Sequence, residues 1–160
     1  MAELTTLEEK LAEVTGLAKA AQEATQKVEG LVDDEELVSQ LQRMREEAEE
    51  TERRCTELAE QRDGKKTAIL EKAQETKNEA AEMMSTYLGS DADDLDGFEF
   101  LTMAEAGEVG HWEILSKLNE KAGEAEVSEL VEWALPIQER HLRDVRQGSL
   151  TLAAEEDPNG

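Results

Sequence analysis

The chain has 160 residues and carries 40 acidic side chains against 17 Lys and Arg, a formal net charge of −23. That balance disfavours nucleic acid, whose phosphates need clustered Lys and Arg, and equally disfavours anionic membrane surfaces, so neither is expected as a partner. Cys55 is the single cysteine, so no internal disulfide forms. The length suits one domain with a sizeable core. Only 3% of residues are aromatic, Glu, Ala, Leu and Lys dominate, and no strand is expected. The stretch Met1 to Glu9 is acidic where a secretory signal needs a basic and then an apolar region. No apolar run approaches the roughly 18 residues of a membrane span. A cytoplasmic protein is the expectation.

Thr5 and Glu8 have the spacing of a capping box, with Leu4 before it as a staple. Leu7, Leu11, Val14, Ala18, Ala21 and Val28 then alternate by three and four, interrupted by Thr25, and predict a first helix ending near Gly30. Asp33 and Glu36 suggest the next cap. Leu37, Leu41, Met44, Ala48, Thr51, Cys55 and Leu58 stripe a second helix, broken at Asp63-Gly64. A third runs from about Lys65 to Leu88, with Ile69, Ala73, Ala80, Met83 and Tyr87 on one face. The acidic segment 90–97 reads as a turn with Asp96 as N-cap. It fails the EF-hand pattern, because Gly97 at position six puts Met103 where a bidentate Glu belongs.

The fourth helix starts near Gly97 and stripes through Leu101, Ala104, Glu108, His111, Leu115, Leu118 and Ala122. Gly123 marks a turn. The fifth, about Glu126 to Gln147, stripes through Val127, Val131, Ala134, Gln138, His141 and Val145. The domain is placed at 1–148, with 149–160 as a tail. Two hairpins joined by a lengthwise third helix form a known four-helix bundle topology.

Four residues on the last two stripes are polar: Glu108, His111, Gln138 and His141. Antiparallel pairing about Gly123 sets Glu108 opposite His141 and His111 opposite Gln138. All lie roughly 13 to 17 residues from the turn, about 20–25 Å along the helices. Buried polar groups are costly unless paired or ligating a metal. Glu-x-x-His on a bundle helix is a carboxylate–imidazole metal motif, and such mixed ligands suit iron, manganese or zinc. A metal-free layer is the other reading: Glu108 bonded to His141, and His111 to the Gln138 amide. Glu105 and Asp144 flank the layer as outer partners. Pro136 is expected to kink the fifth helix and free the Glu132 carbonyl. Trp112 and Trp133 are expected off the stripe, under the crossover helix. Cys55 reads as a packed, unreactive thiol.

The segments Glu49-Glu-Thr-Glu-Arg-Arg-Cys-Thr-Glu-Leu-Ala59 and Ala104-Glu-Ala-Gly-Glu-Val-Gly-His-Trp-Glu-Ile-Leu115 resemble the YciE/YciF-type ferritin-like metal-binding proteins. The helix order is similar across most of the chain. The resemblance implies an all-α ferritin-like four-helix bundle, a dinuclear iron or manganese centre and a link to stress responses. It places His111 and Glu113 in the family's histidine–carboxylate segment. The chain departs from that pattern, since a full di-metal site takes carboxylates from all four bundle helices. The first helix offers only Thr25 on its stripe, and the second only Thr51 and Cys55. Glu23, Glu47 and Glu50 lie near but off the stripes. Two expectations stand: a bundle binding iron or manganese through Glu108, His111, His141 and Gln138, or a metal-free bundle acting as a structural or protein-interaction module. Self-association is compatible with either.

Overall fold

Three of the five helices begin where a side chain supplies oxygens for the first free N–H groups. A computed structural model describes residues 2–160. Helix α1 (Thr6–Glu29) opens with a complete capping box: Thr5 N donates to Glu8 Oε1 at 2.9 Å, and Glu8 N to Thr5 Oγ1 at 3.1 Å. In α2 (Glu35–Glu60) the cap is Asp34, one residue past the expected Asp33. Its carboxylate accepts from Glu36 N and Leu37 N. Helix α3 spans Lys66–Tyr87. Helix α4 (Asp94–Ala122) begins three residues before the expected Gly97, because Asp93 caps it and Asp96 closes the box. It ends at Gly123, whose φ of +66° requires glycine. Helix α5 (Ala125–Ala154) passes through Pro136 unbroken and runs beyond the expected end at Gln147. Gly148 does not stop it. A Cβ there would lie 2.4 Å from the Phe98 ring, so the glycine makes room for an aromatic side chain. Leu152, beyond the expected boundary at 148, is buried in the core.

The class is all-α, with five helices and no strand among the described residues. Side-chain pairs fix the directions. Gln22–Glu52 and Arg45–Glu29 run α1 and α2 antiparallel. Helix α3 returns beside α1 in the same direction, with Gln74 bonded to Lys19 and Lys77 to Glu23. Helix α4 then descends along α1, from Gly97 beside Val28 to His111 near Glu13. Helix α5 climbs back against α4, pairing Ser128 with Asn119 and Ser149 with Thr102. It also lies against α2, where Arg54 stacks over the Trp133 ring at 4.1 Å. Helices α1, α2, α4 and α5 share one interior, and α3 lies outside α1.

Two main apolar clusters fill that interior. The upper one holds Val28, Leu41, Met44, Phe98, Leu101 and Val145. The lower one holds Leu11, Val14, Cys55, Leu115, Val127 and a fully buried Trp112. Trp112 is therefore a centre of the core and not a residue under α3. The expected α3 face is only half realised. Ile69 and Ala73 are buried, whereas Met83 and Tyr87 are 51% and 57% exposed. The packed half is tight: a Cβ on Gly16 would sit 2.3 Å from the Ala73 carbonyl oxygen.

The lower end is clamped by charge. Buried Glu8 accepts from Arg62 Nε and Lys65 Nζ, both at 2.8 Å, and Arg62 also binds Glu124 of the α4–α5 turn. Burial pushes the Glu8 carboxyl up, but the bonds from Lys65, the Thr5 backbone and Arg62 outweigh it and hold its pKa at about 2.

Two outcomes follow from these contacts. Gly16→Ala should lower stability by about 1–2 kcal/mol in urea unfolding, although alanine is the better helix former, because a backbone oxygen cannot rotate away. Glu8 is ionised in the folded chain well below its ordinary value of 4.5, so its contribution is present above that value and lost as pH falls towards about 2. The loss should approach about 3 kcal/mol and be absent in Glu8→Gln, as measured by chemical unfolding across that range.

Candidate functional site

Between the two clusters the interior becomes polar. Helix α4 turns Glu105 and Glu108 inward, and α5 turns Gln138 and His141. All four are between 1% and 4% exposed. Apart from Glu47, which enters from α2, the buried side chains of the middle of α1 and α2 are small, Ala18, Ala21, Ala48 and Thr51. With its nitrogen facing the carboxyls, the Gln138 amide donates to Glu108 Oε2 at 3.0 Å and Glu105 Oε2 at 3.1 Å. Turned the other way, its oxygen stands in the same place. Three oxygens then meet, and only protons or a cation satisfy them.

His141 is oriented from outside the layer. Its Nε2 lies 3.0 Å from Glu47 Oε1, and Arg140 holds the other Glu47 oxygen. Burial alone would raise the Glu47 carboxyl, but the bonds from Arg140 and His141 hold it below its ordinary value. An ionised Glu47 accepts, so Nε2 carries the proton and Nδ1 keeps its lone pair. That nitrogen is 3.9 Å from Glu105 Oε2. Burial holds the imidazole pKa below its ordinary value despite Glu47, so the ring is neutral. Burial also pushes the Glu105 carboxyl to about 8, and burial together with Glu105 raises Glu108. Both shifts favour the protonated form.

Three of the four residues singled out in the sequence, Glu108, Gln138 and His141, come together here. His111 does not. Its side chain is 39% exposed, with Nδ1 2.8 Å from the Gly107 carbonyl oxygen and Nε2 3.9 Å from Glu13 Oε2. The facing pairs are Glu105 with His141 and Glu108 with Gln138, so the helices sit three residues from the expected register. The reason lies in the seam of α4, which runs Leu101, Glu105, Glu108, Trp112, Leu115 and Asn119. It alternates by three and four as regularly as the expected seam through Ala104 and His111. Apolarity favours Ala104 over Glu105 in isolation, but the indole of Trp112 has far more surface to bury than an imidazole. That tryptophan was the signal for Glu105.

Of the acids near the first stripes, only Glu47 reaches the layer. Glu23 pairs with Lys77, and Glu50 pairs with Arg53 and Arg54 at the surface. Glu113 is exposed, and Asp144 is half-buried beside His141. Glu105, Glu108 and His141 do not all lie within 4.8 Å of one another. Among the described residues the one group of acid, histidine or thiol side chains that close is the three carboxylates Asp93, Asp94 and Glu156. There Asp93 and Asp94 already accept backbone N–H groups at the start of α4. Cys55 is buried and its thiol is pushed up to about 12 by desolvation, so it is a packed group.

No protein-family model, curated protein or solved structure matches this chain. The fold and site define an all-α protein with a buried carboxyl–amide–imidazole layer. No described helix is long and apolar enough to cross a membrane.

A carboxyl that keeps its proton when folded makes stability fall as pH rises. The folded chain holds a proton that the unfolded chain releases between the ordinary value of 4.5 and about 8. Over the same range the depressed His141 acts in the opposite direction, so the carboxyl's share is read as the melting difference between wild type and Glu105→Gln, which should widen in the variant's favour from about pH 5.5 to about pH 8. Circular dichroism of the metal-free proteins reads the melting.

Proposed function

We propose that this chain is a ferritin-like bundle that binds one transition-metal ion, iron or manganese, in its mid-bundle layer. The order of helices supports the first part: two antiparallel hairpins joined by a lengthwise helix, with one crossover. The observation that carries the second is the orientation of His141. Glu47, anchored by Arg140, takes the Nε2 proton and leaves the Nδ1 lone pair towards Glu105. Metal-binding histidines are set by such a carboxylate behind the ring.

The donor set fits a cation in kind: two carboxyls, an amide oxygen and a neutral imidazole, a mixture that suits iron and manganese. Glu105, Glu108, His141 and the Gln138 oxygen would hold the ion. Glu47 and Arg140 would orient the ring. Such an ion supplies Lewis acidity or a redox couple when bound. The small buried residues in the middle of α1 and α2 add no further ligand, which is why the reading is one ion and not two. The carboxyls give up their protons on binding, so affinity rises with pH. His111 takes no part.

The test is elemental analysis of protein expressed with iron, manganese and zinc, comparing wild type with His141→Ala, Glu105→Ala and His111→Ala. Near-stoichiometric iron or manganese in wild type and His111→Ala, lost in the other two, is the expected result. Folded, metal-free wild type sinks the reading, as does loss in His111→Ala alone.

One observation favours a second reading, the metal-free structural or protein-interaction module. With its nitrogen inward, Gln138 bonds both carboxyls without any ion. In that case replacing Glu105, Glu108, Gln138 and His141 together by apolar residues should leave a folded bundle, equally or more stable.

A further inference from the structure

Helix α4 has a second face that the bundle leaves unused. Opposite the seam of Glu105 and Glu108 runs a stripe of positions that all lie within about 40° of one line, at about 100° per residue. None of it is buried. It begins with two acids, Asp96 and Glu99. Its middle is apolar, with Met103 and Ile114, 40% and 47% exposed, on either side of Gly107 and Gly110. It ends with two cations, Lys117 and Lys121. The two glycines make room for nothing inside the chain. Gly16, Gly97 and Gly148 each accommodate a neighbour, but a Cβ on Gly107 or Gly110 would meet nothing within 4 Å. Glycine weakens a helix interior relative to alanine, and the bundle gains nothing from these two in return.

We propose that this face of α4 pairs antiparallel with the same face of a second copy, giving a twofold-symmetric dimer. The order of the stripe carries the inference, because read backwards it is its own complement. With the twofold axis level with the middle of the glycine pair, Met103 packs on Ile114 of the second copy, and Gly107 on its Gly110. The same register brings Asp96 to Lys121 of the second copy, and Glu99 to its Lys117. Each contact occurs twice, as an isologous interface requires. The glycines let the two backbones approach closer than the roughly 8–10 Å usual for packed helices. In the single chain the charged ends are weakly engaged. Lys117 Nζ lies 3.0 Å from Glu120 Oε2 with both side chains well exposed, and Asp96 uses one oxygen to close its cap. A uniformly basic partner would meet Lys117 and Lys121, and a uniformly acidic one Asp96 and Glu99, so charge selects a second copy. The net charge of −23 repels copies diffusely and is screened by salt, whereas the stripe itself balances its acids with its lysines. One helix pair is a small interface, so micromolar association is expected. The pairing uses the outer face of α4 and does not rest on metal binding.

Sedimentation velocity of the full-length protein at about 0.15 M salt reads the mass in solution. Wild type should be dimeric at about 100 μM and dissociate on dilution towards about 1 μM. Gly110→Leu, a position with open space around it in the single chain, should keep its helix content by circular dichroism and weaken the dimer at least about tenfold. Lys117→Glu and Glu99→Lys should each weaken it severalfold, since like charges then meet at both ends. Mixed together, those two variants pair opposite charges again at both ends, and a heterodimer of near wild-type affinity should form. Wild type that stays monomeric at about 100 μM, a dimer unmoved by Gly110→Leu, or no recovery on mixing would overturn the proposal. Should Gly110→Leu misfold, the charge-swapped pair still decides. Metal content and mass are separate readouts, so either reading can fail while the other stands.

Discussion

Everything in the middle of this bundle depends on the cost of dehydrating two carboxyls. Glu105 and Glu108 are as buried as the leucines above and below them. Left ionised and unpaired there, each would cost several kcal/mol. The chain meets that cost by favouring their protonated forms, by bridging them with one amide and by keeping His141 neutral. Charge is confined to the flank, where Arg140 neutralises Glu47. The same solution leaves the layer able to exchange protons for a cation. Stability in the empty state and readiness to bind are one property of these residues.

The two electrostatic sites work in opposite directions. At the lower end, two cations hold Glu8 ionised and tie α1 to the segments on either side of it. In the middle, carboxyls have only an amide and a neutral ring for company. Low pH weakens the first, whereas rising pH works against the carboxyls of the second. The large net charge adds a diffuse repulsion that salt screens, whereas neither buried site is open to screening to the same degree.

Much of the fold was legible because three and four alternate cleanly along α1, α2 and α5. Every residue from Val127 to Val145 on the α5 stripe is buried as read, Gln138 and His141 included. The caps at Asp34 and Asp93 were misplaced because acids crowd both turns and several can serve. In α4 the reading slipped by one residue at three points, Ala104 for Glu105, His111 for Trp112 and Leu118 for Asn119. Two helical seams share Leu101, Glu108 and Leu115, and only the fit of Trp112 against Leu11 and Cys55 separates them. That is a tertiary fact, so Glu105 was relegated to the flank and His111 promoted to the centre. Glu47 lies off its own helix's stripe and is engaged by α5, a relation that no periodicity within α2 could reveal.

Helix α3 buries little, yet it decides who meets whom. Its 22 residues span about 33 Å, close to the length of the bundle. By carrying the chain the full distance before α4 begins, it delivers the second hairpin head-up beside the first. A short loop in its place would deliver that hairpin inverted, with α5 parallel to α2, and Glu47 would meet a different side chain. The strut is thus a ruler: its span selects the carboxylate behind His141, although it touches neither residue.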